Sequence, residues 1–355
     1  MKRIHLLSMV ASVALAIAAL GSSAWAGNNP VDEKWWPSEF GANDERGAAN
    51  HIDDAKRLAA LKLVKQGKVS NMGRVYHNYM PLIPGRTFAL SIPGAGGPTH
   101  GPLSWPGKNY YMTFLDELLI AEIGQVGTQF DGLGHPMIRI MGLNNPEWPD
   151  GDYLYNKVRI QDYNNTRGLV KNGSHHVKNI VTRGILIDVA ALKGKPMLEK
   201  AYVITMADYK AALQKQGIGD ATKGDVVMFR TGWGNLWVDN LNKDPAQRAK
   251  DNAEFGSGEP GPAPEVCDHL ADRKITMVAS DTWGLEPYPP FPSTEEDKPF
   301  AYCHMNLIAR RGIYNFENLD AEELSKAKVY EFAFVWGVDQ FYGATGAPGN
   351  PLALW

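Results

Sequence analysis

Cysteine is almost absent: Cys267 and Cys303 are the only two in 355 residues, too few for a disulfide framework. Both read as buried thiols, although an exported chain can join such a pair. A net charge of −3 leaves no basic field to hold nucleic acid or an anionic membrane. No repeat or low-complexity tract occurs. No Gly-x-Ser-x-Gly elbow is found, which argues against a Ser-His-Asp hydrolase. After the first 26 residues no run is long and apolar enough to span a bilayer. What is plentiful is Gly (36) and Pro (23), the composition of many turns and long shaped loops, where binding sites tend to lie.

The N-terminus has a character of its own. "MKRIHLLSMVASVALAIAALGSSAWAG" places Lys2 and Arg3 before an apolar run that ends at Ala24-Trp25-Ala26. This is the layout of a secretory signal peptide cleaved near Ala26. An N-terminal membrane anchor is the competing reading, disfavoured because the small-residue site follows the run directly. Residues 1–26 are therefore expected to be a signal, 27–355 a single domain, and the mature protein periplasmic or secreted.

Strands and helices alternate along the mature chain. "GILIDVA" (Gly184–Ala190), "DVVMFRTGW" (Asp225–Trp233), "ITMVASDTW" (Ile275–Trp283) and "VYEFAFVWGV" (Val329–Val338) are short, β-rich and bounded by turn residues. "IDDAKRLAALKLVKQGK" carries helical spacing. Thr205 with Asp208 forms a capping-box pattern for a helix that stops at Gly217. Pro264 suits the first turn of "PEVCDHLADRK", and Asp320 with Glu323 opens another short helix. The stretch from about Pro81 to Gly107 reads as an ordered Gly/Pro-rich arm. The pattern is that of an α/β domain.

The chemistry-bearing stretch is Gln125-Val126-Gly127-Thr128-Gln129-Phe130-Asp131-Gly132-Leu133-Gly134-His135. On an extended segment Gln129 and Asp131 face the same way, so an amide oxygen and a carboxylate can aim at one point. The glycines permit close backbone approach. Asp131 offers a hard anionic oxygen, and His135 offers a ligand or a base that titrates near neutrality.

This stretch resembles the signature His-x-Gly-Thr-His-x-Asp-x-Pro-x-His of the cyclase family of metal-dependent hydrolases, the kynurenine formamidase- and isatin hydrolase-like proteins. Both earlier histidines are glutamine here, and the proline position is Leu133. The likeness continues through "NDERGAAN", "GILIDVA", "GDVVMFRTGWGNLW", "ASDTWGLEP", "CHMNLIARRGIYNFENL" and "GATGAPGNPLAL", in order along most of the mature chain.

The resemblance implies a swivelling β/β/α fold, a mixed barrel-like sheet flanked by helices, assembled as a homo-oligomer. It implies metal-site roles for Gln125, Gln129, Asp131, His304 and Glu317, with His135 shuttling protons. Two carboxamides in place of two imidazoles weaken a zinc site and suit a harder ion, so Mn2+ is expected over Zn2+. The implied activity is hydrolysis of a small amide, cyclic amide or lactone-like substrate by activated water, with His135 as general acid/base. Alternatives on the same residues are a lyase or cyclase-dehydratase, or a periplasmic binding protein without catalysis. Asp281 and His100 read as a structural turn residue and an exposed loop histidine. Trp105, Tyr110, Tyr111, Trp233, Trp283 and Tyr288 are aromatics available to a ring-binding pocket, although ordinary packing accounts for most of them.

Overall fold

The computed structural model describes residues 34–94, 97–103, 109, 112–163, 167–237, 240–289 and 301–355. The N-terminal stretch read as a signal peptide, with Trp105, Tyr110 and Tyr111, lies outside them. Nine strands form one curled sheet: β1 (Val69–Asn71), β2 (Gln129–Asp131), β3 (Asn179–Asp188), β4 (Val226–Arg230), β5 (Met277–Ser280), β6 (Tyr314–Glu317), β7 (Glu331–Gly337), β8 (Gly346–Pro348) and β9 (Leu352–Leu354). Their order across the sheet is β1-β9-β7-β3-β4-β5-β6-β2-β8. The expected mixed, barrel-like sheet flanked by helices is thus what the chain forms.

Strands β3 to β6 run parallel, and antiparallel strands continue the sheet on both sides. The parallel strands β4, β5 and β6 are buried at every position, because helices and loops cover both faces. In β3 the first half alternates, with Ile180 and Thr182 buried and their neighbours facing outward, and the second half is wholly buried. All four expected strands exist. β3 starts earlier than expected, since Asn179–Arg183 pair with β7 before β4 begins.

Helix α1 (Asp54–Leu61) is capped by Asp53, whose carboxylate accepts from Lys56 N at 2.7 Å. It is shorter than its periodicity predicts. The following residues instead bond the C-terminus, with Gln66 N and Lys68 N both donating to Trp355 O. Helix α2 (Met206–Gln216) has the full Thr205/Asp208 capping box and stops at Gly217, which takes a left-handed φ of 68°. Helix α3 spans Pro245–Phe255, and α4 spans Pro264–Asp272 with proline in its first turn. The helix expected near Asp320 runs from Glu322 to Ala327.

The cysteines overturn one expectation. Cys267 of α4 and Cys303 are joined in a disulfide, not two separate thiols, because α4 packs against the helical segment that carries Cys303 and brings their Cα atoms to 5.7 Å. Cys303 therefore has no free sulfur to act as a nucleophile.

The Gly/Pro-rich arm supplies one strand to each of two antiparallel ladders, Phe88–Ser91 with Leu118–Ala121 and His100–Leu103 with Met112–Phe114, so the arm extends to about Ala121. Among the described residues no helix is long and apolar enough to cross a membrane.

Candidate metal centre and active-site pocket

The site forms where the parallel part of the sheet meets its first antiparallel neighbour. Glu317 ends β6 and stands opposite Gln129, which starts β2. Asp131 lies two residues along β2 on the same face, opposite Asn315. The loop before β2 is pinned to the loop after β6. Thr128 Oγ1 donates to Asn318 O at 3.0 Å and accepts from Arg74 N at 2.8 Å, while Asn318 Nδ2 donates to Gly127 O at 2.7 Å. The Gly-Thr and Glu-Asn-Leu motifs, far apart in sequence, are thus one hydrogen-bonded unit. Gly127 is required there: its φ is 65°, and a Cβ would fall 2.4 Å from the Tyr76 ring.

His304 completes the cluster. It comes from the helical turn Tyr302–His304, which runs into the π-helical segment Met305–Arg310. Its Nε2 lies 3.2 Å from Glu317 Oε1 and 3.4 Å from Asp131 Oδ2. One ligand atom from each of Asp131, His304 and Glu317 lies within 4.8 Å of the others. His135 stands beside them, its Nε2 3.7 Å from Asp131 Oδ2.

The two glutamines enter through their nitrogens. Gln125 Nε2 donates to Asp131 Oδ1 at 2.7 Å, and Gln129 Nε2 donates to Glu317 Oε2 at 2.8 Å. Each carboxylate therefore has one oxygen satisfied and one turned toward His304. Gln129 Oε1, Asp131 Oδ2 and Glu317 Oε1 are buried and lack a hydrogen-bond donor. Buried acceptors left in this state are costly unless a cation or an ordered water completes them.

Two residues that the sequence did not single out support the cluster. Glu286 accepts from His304 N at 2.7 Å and lies 2.6 Å from His304 Nδ1. A proton on Nδ1 directed at Glu286 leaves Nε2 free as a ligand, the carboxylate–histidine arrangement that orients metal-binding imidazoles. Glu259 accepts from Trp283 N and Gly284 N, both at 2.8 Å, and so fixes the loop whose Trp283 carbonyl receives Gln129 Nε2 at 3.3 Å. The available signal was weak: Glu286 lies inside "ASDTWGLEP" but carries no spacing to His304 that local sequence reveals.

Burial and crowding set the charges. Burial next to the Asp131 charge pushes the Glu317 carboxyl up to about 8, against the opposing pull of His304 and Gln129. Burial would raise Asp131 too, but His135, His304 and Gln125 hold it below its ordinary value. Burial disfavours the His304 cation, yet Glu286, Asp131 and Glu317 together raise it well above the ordinary histidine range. Burial lowers His135, which keeps its imidazole neutral near pH 7. Glu259 is raised by burial and by Glu317.

A cavity of about 630 Å³ opens on this cluster, lined in part by Gln125, His135, Glu286, His304 and Trp283. Its wall is largely apolar, with Met137, Phe255 and Tyr288 among its residues. Trp233 is buried in the core instead, and His100 lies on the arm 3.2 Å from Asp116. Asp281 is a structural residue: its carboxylate accepts from Thr231 N, Thr231 Oγ1 and Gly232 N. A second cavity, near Trp35 and His51, touches none of the clustered residues.

Residues 75–287 match the family profile described as "Putative cyclase". His304 and Glu317 lie beyond the matched stretch and reach the site through the fold. The chain resembles the crystal structure of a novel cyclase, with 29% identity, 89% of this chain and 98% of that chain covered, and a TM-score of 0.71. It is more remotely similar to isatin hydrolase A from Ralstonia solanacearum (17% identity, 81% and 91% covered, TM-score 0.48). A predicted metal-dependent hydrolase from Bacillus stearothermophilus is comparably distant (14% identity, 81% and 97% covered, TM-score 0.45). No curated protein matches the sequence.

Proposed function

The chain belongs to the cyclase family, and on that premise we propose that it is a secreted metal-dependent hydrolase of a small amide, cyclic amide or lactone-like substrate. The observation that carries this reading is the convergence of two undonated buried oxygens, on Asp131 and Glu317, beside His304 Nε2, with Gln129 Oε1 a further buried acceptor that lacks a donor. That donor set fits a divalent cation. Three oxygens to one nitrogen favour Mn2+ over Zn2+.

Asp131, Glu317, His304 and the Gln129 carbonyl would hold the ion, and Gln125 would orient Asp131. A cation bound there supplies Lewis acidity, acidifying water and polarising a carbonyl. Neutral His135 is placed to accept a proton from the attacking water and return it to the leaving nitrogen or oxygen. Glu286 fixes the His304 tautomer, and Glu259 fixes the loop over the site. The apolar wall accepts a ring and excludes bulk water.

Export is supported by the N-terminal stretch and by the Cys267–Cys303 disulfide, a linkage kept in oxidising compartments. Assembly as a homo-oligomer is supported by the apolar surface of the arm.

Elemental analysis of the purified protein, with hydrolysis of a panel of small amides and lactones followed before and after chelation, tests the proposal. The expected result is one divalent ion per chain and activity that chelation removes and Mn2+ restores. His135→Ala should abolish turnover while keeping the ion. Full activity in metal-free protein overturns the metal reading, and loss of the ion in His135→Ala makes His135 a ligand instead of the base.

A further inference from the structure

Arg86 is the only lysine or arginine among the described residues that line the active-site cavity. It is half-buried, and its guanidinium has no ion pair or side-chain hydrogen bond among the described residues. A guanidinium in a largely apolar cavity without a carboxylate partner is unusual, since its donors are normally satisfied.

Its position is fixed by the fold. Arg86 N donates to Ile83 O at 3.1 Å, closing a turn. The next residue, Thr87, donates its N–H to the Glu122 carboxylate, and Gln125 N donates to Glu122 O at 2.7 Å. The turn that carries Arg86 is thereby tied to the turn that carries Gln125. Phe88 anchors it from beneath, buried against the Tyr76 ring at 5.9 Å between centroids.

The other charges in the cavity are already compensated. Glu286 is engaged by His304. Glu259 is held by two backbone N–H groups and kept toward its neutral form by burial. Among the described residues, Arg86 alone lines the cavity with its charge unmatched.

From this juxtaposition we propose that the substrate carries an anionic group, a carboxylate on an apolar or aromatic body, and that Arg86 binds that group while the scissile carbonyl lies at the Asp131–His304–Glu317 cluster. The proposal rests on the metal-dependent hydrolase reading and narrows its substrate class. Arg86 is a specificity residue in this scheme. A planar guanidinium suits a carboxylate in two-pronged geometry, which lysine does not reproduce.

Three probes test it by calorimetry on the full mature chain. Hippurate has a ring, an amide and a carboxylate; N-benzoylglycinamide is its neutral counterpart; benzoate is the acid that amide cleavage of either would release. Each is titrated into Mn2+-loaded and chelated protein, in wild type, Arg86→Met and Arg86→Lys. Hippurate should bind wild type about tenfold tighter than the neutral amide, an amount typical of one charged hydrogen-bond pair. That preference should survive chelation, disappear in Arg86→Met and persist in part in Arg86→Lys. Thermal melts of the variants should match wild type, since the side chain makes no hydrogen bond or ion pair among the described residues.

A preference that vanishes on chelation yet survives in Arg86→Met assigns the carboxylate to the metal and overturns the role of Arg86, leaving the metal reading intact. Loss of benzoate binding in Arg86→Met with hippurate binding unchanged makes Arg86 a product site, which also overturns the proposal. No preference in any state does the same, and the metal content of that sample judges the hydrolase reading separately.

Discussion

Gln129 and Glu317 are register partners across the antiparallel pair β2–β6, and a 2.8 Å hydrogen bond from Gln129 Nε2 to Glu317 Oε2 joins their side chains. Gln125, in the loop before β2, makes the same kind of amide-to-carboxylate bond to Asp131 at 2.7 Å. An imidazole could give one donor or one lone pair to the site. A carboxamide gives both at once, its nitrogen holding one oxygen of a carboxylate while its own oxygen stays available. The glutamines thus turn two carboxylates so that one free oxygen of each faces His304, and the centre becomes rich in hard oxygen ligands.

Replacing Gln129 should therefore separate its two contributions. Gln129→Leu removes the donor that orients Glu317 and a candidate ligand, and should weaken Mn2+ binding by about 10- to 100-fold. Gln129→His restores an imidazole and should raise Zn2+ affinity relative to Mn2+. Competition titrations with the two ions read both effects. Unchanged Mn2+ affinity in Gln129→Leu removes Gln129 from the ligand set.

The cluster also predicts how metal-free protein responds to pH. Burial beside Asp131 lifts the Glu317 carboxyl from 4.5 to about 8, so the folded state holds a proton that the unfolded chain has released. Stability from this group is full below 4.5 and falls as pH rises toward 8. His304, raised by its three carboxylates, adds a loss of the same sign above the ordinary histidine range. The unfolding free energy of chelated protein, followed by denaturant titration, should therefore fall between pH 5 and 8 by an amount on the order of a few kcal/mol. Mn2+ should remove most of the slope, and Glu317→Gln should flatten it without metal. A slope that Glu317→Gln leaves unchanged places its origin elsewhere.

How much of this was legible in the sequence depended on the range of the interaction. β4 and β5 were readable because strands buried on both faces are continuous apolar runs. The α2 boundaries were readable because Thr205, Asp208 and Gly217 act within a few residues of one another. Gln129 and Asp131 could be placed on one face by period two alone. His135 was marked by the Gly-rich stretch it shares with Asp131, whereas His304 and Glu317 were named through a family likeness, since nothing local marks a residue that meets its partners only across the sheet. Glu286 and Glu259 stayed hidden for the same reason, being supporting carboxylates that touch His304 and the Trp283 loop in space. The donor role of the glutamines was also invisible, because the sequence does not say which end of an amide points inward. The disulfide was not readable either: two cysteines 36 residues apart carry no sign of the packing of α4 that joins them.

That disulfide has a testable link to the site. Cys303 immediately precedes His304, and its bond to Cys267 ties the helical turn to α4. Removing both sulfurs in Cys267→Ser/Cys303→Ser should cost about 4 kcal/mol through the loop of 36 residues released in the unfolded chain. It should also loosen His304 and lower metal retention. Chemical denaturation and metal analysis after dialysis measure the two separately. A variant with wild-type metal content and lower stability confines the disulfide to a structural role.

The arm supplies the last prediction. Phe88–Ser91 and Leu118–Ala121 form a two-stranded ladder, and such a ladder is marginal in water unless something packs on it. Yet Leu90, Leu118, Leu119 and Ile120 are 42%, 52%, 41% and 58% exposed, and Ile92 and Leu115 extend the apolar surface. Successive strand residues face opposite sides, so both faces of the ladder are apolar. A monomer would expose this surface to water, which soluble chains avoid over large contiguous areas. Covering it with a second copy is expected to make the protein a homo-oligomer in solution. Light scattering should report at least twice the mass of the mature chain at micromolar concentration, and Leu119→Lys with Ile120→Glu should shift it toward the monomer. The arm also carries Arg86, so the dissociated variant should lose substrate affinity more than it loses bound metal. A wild type that stays monomeric at high concentration removes the oligomer from the scheme and leaves the arm without its partner.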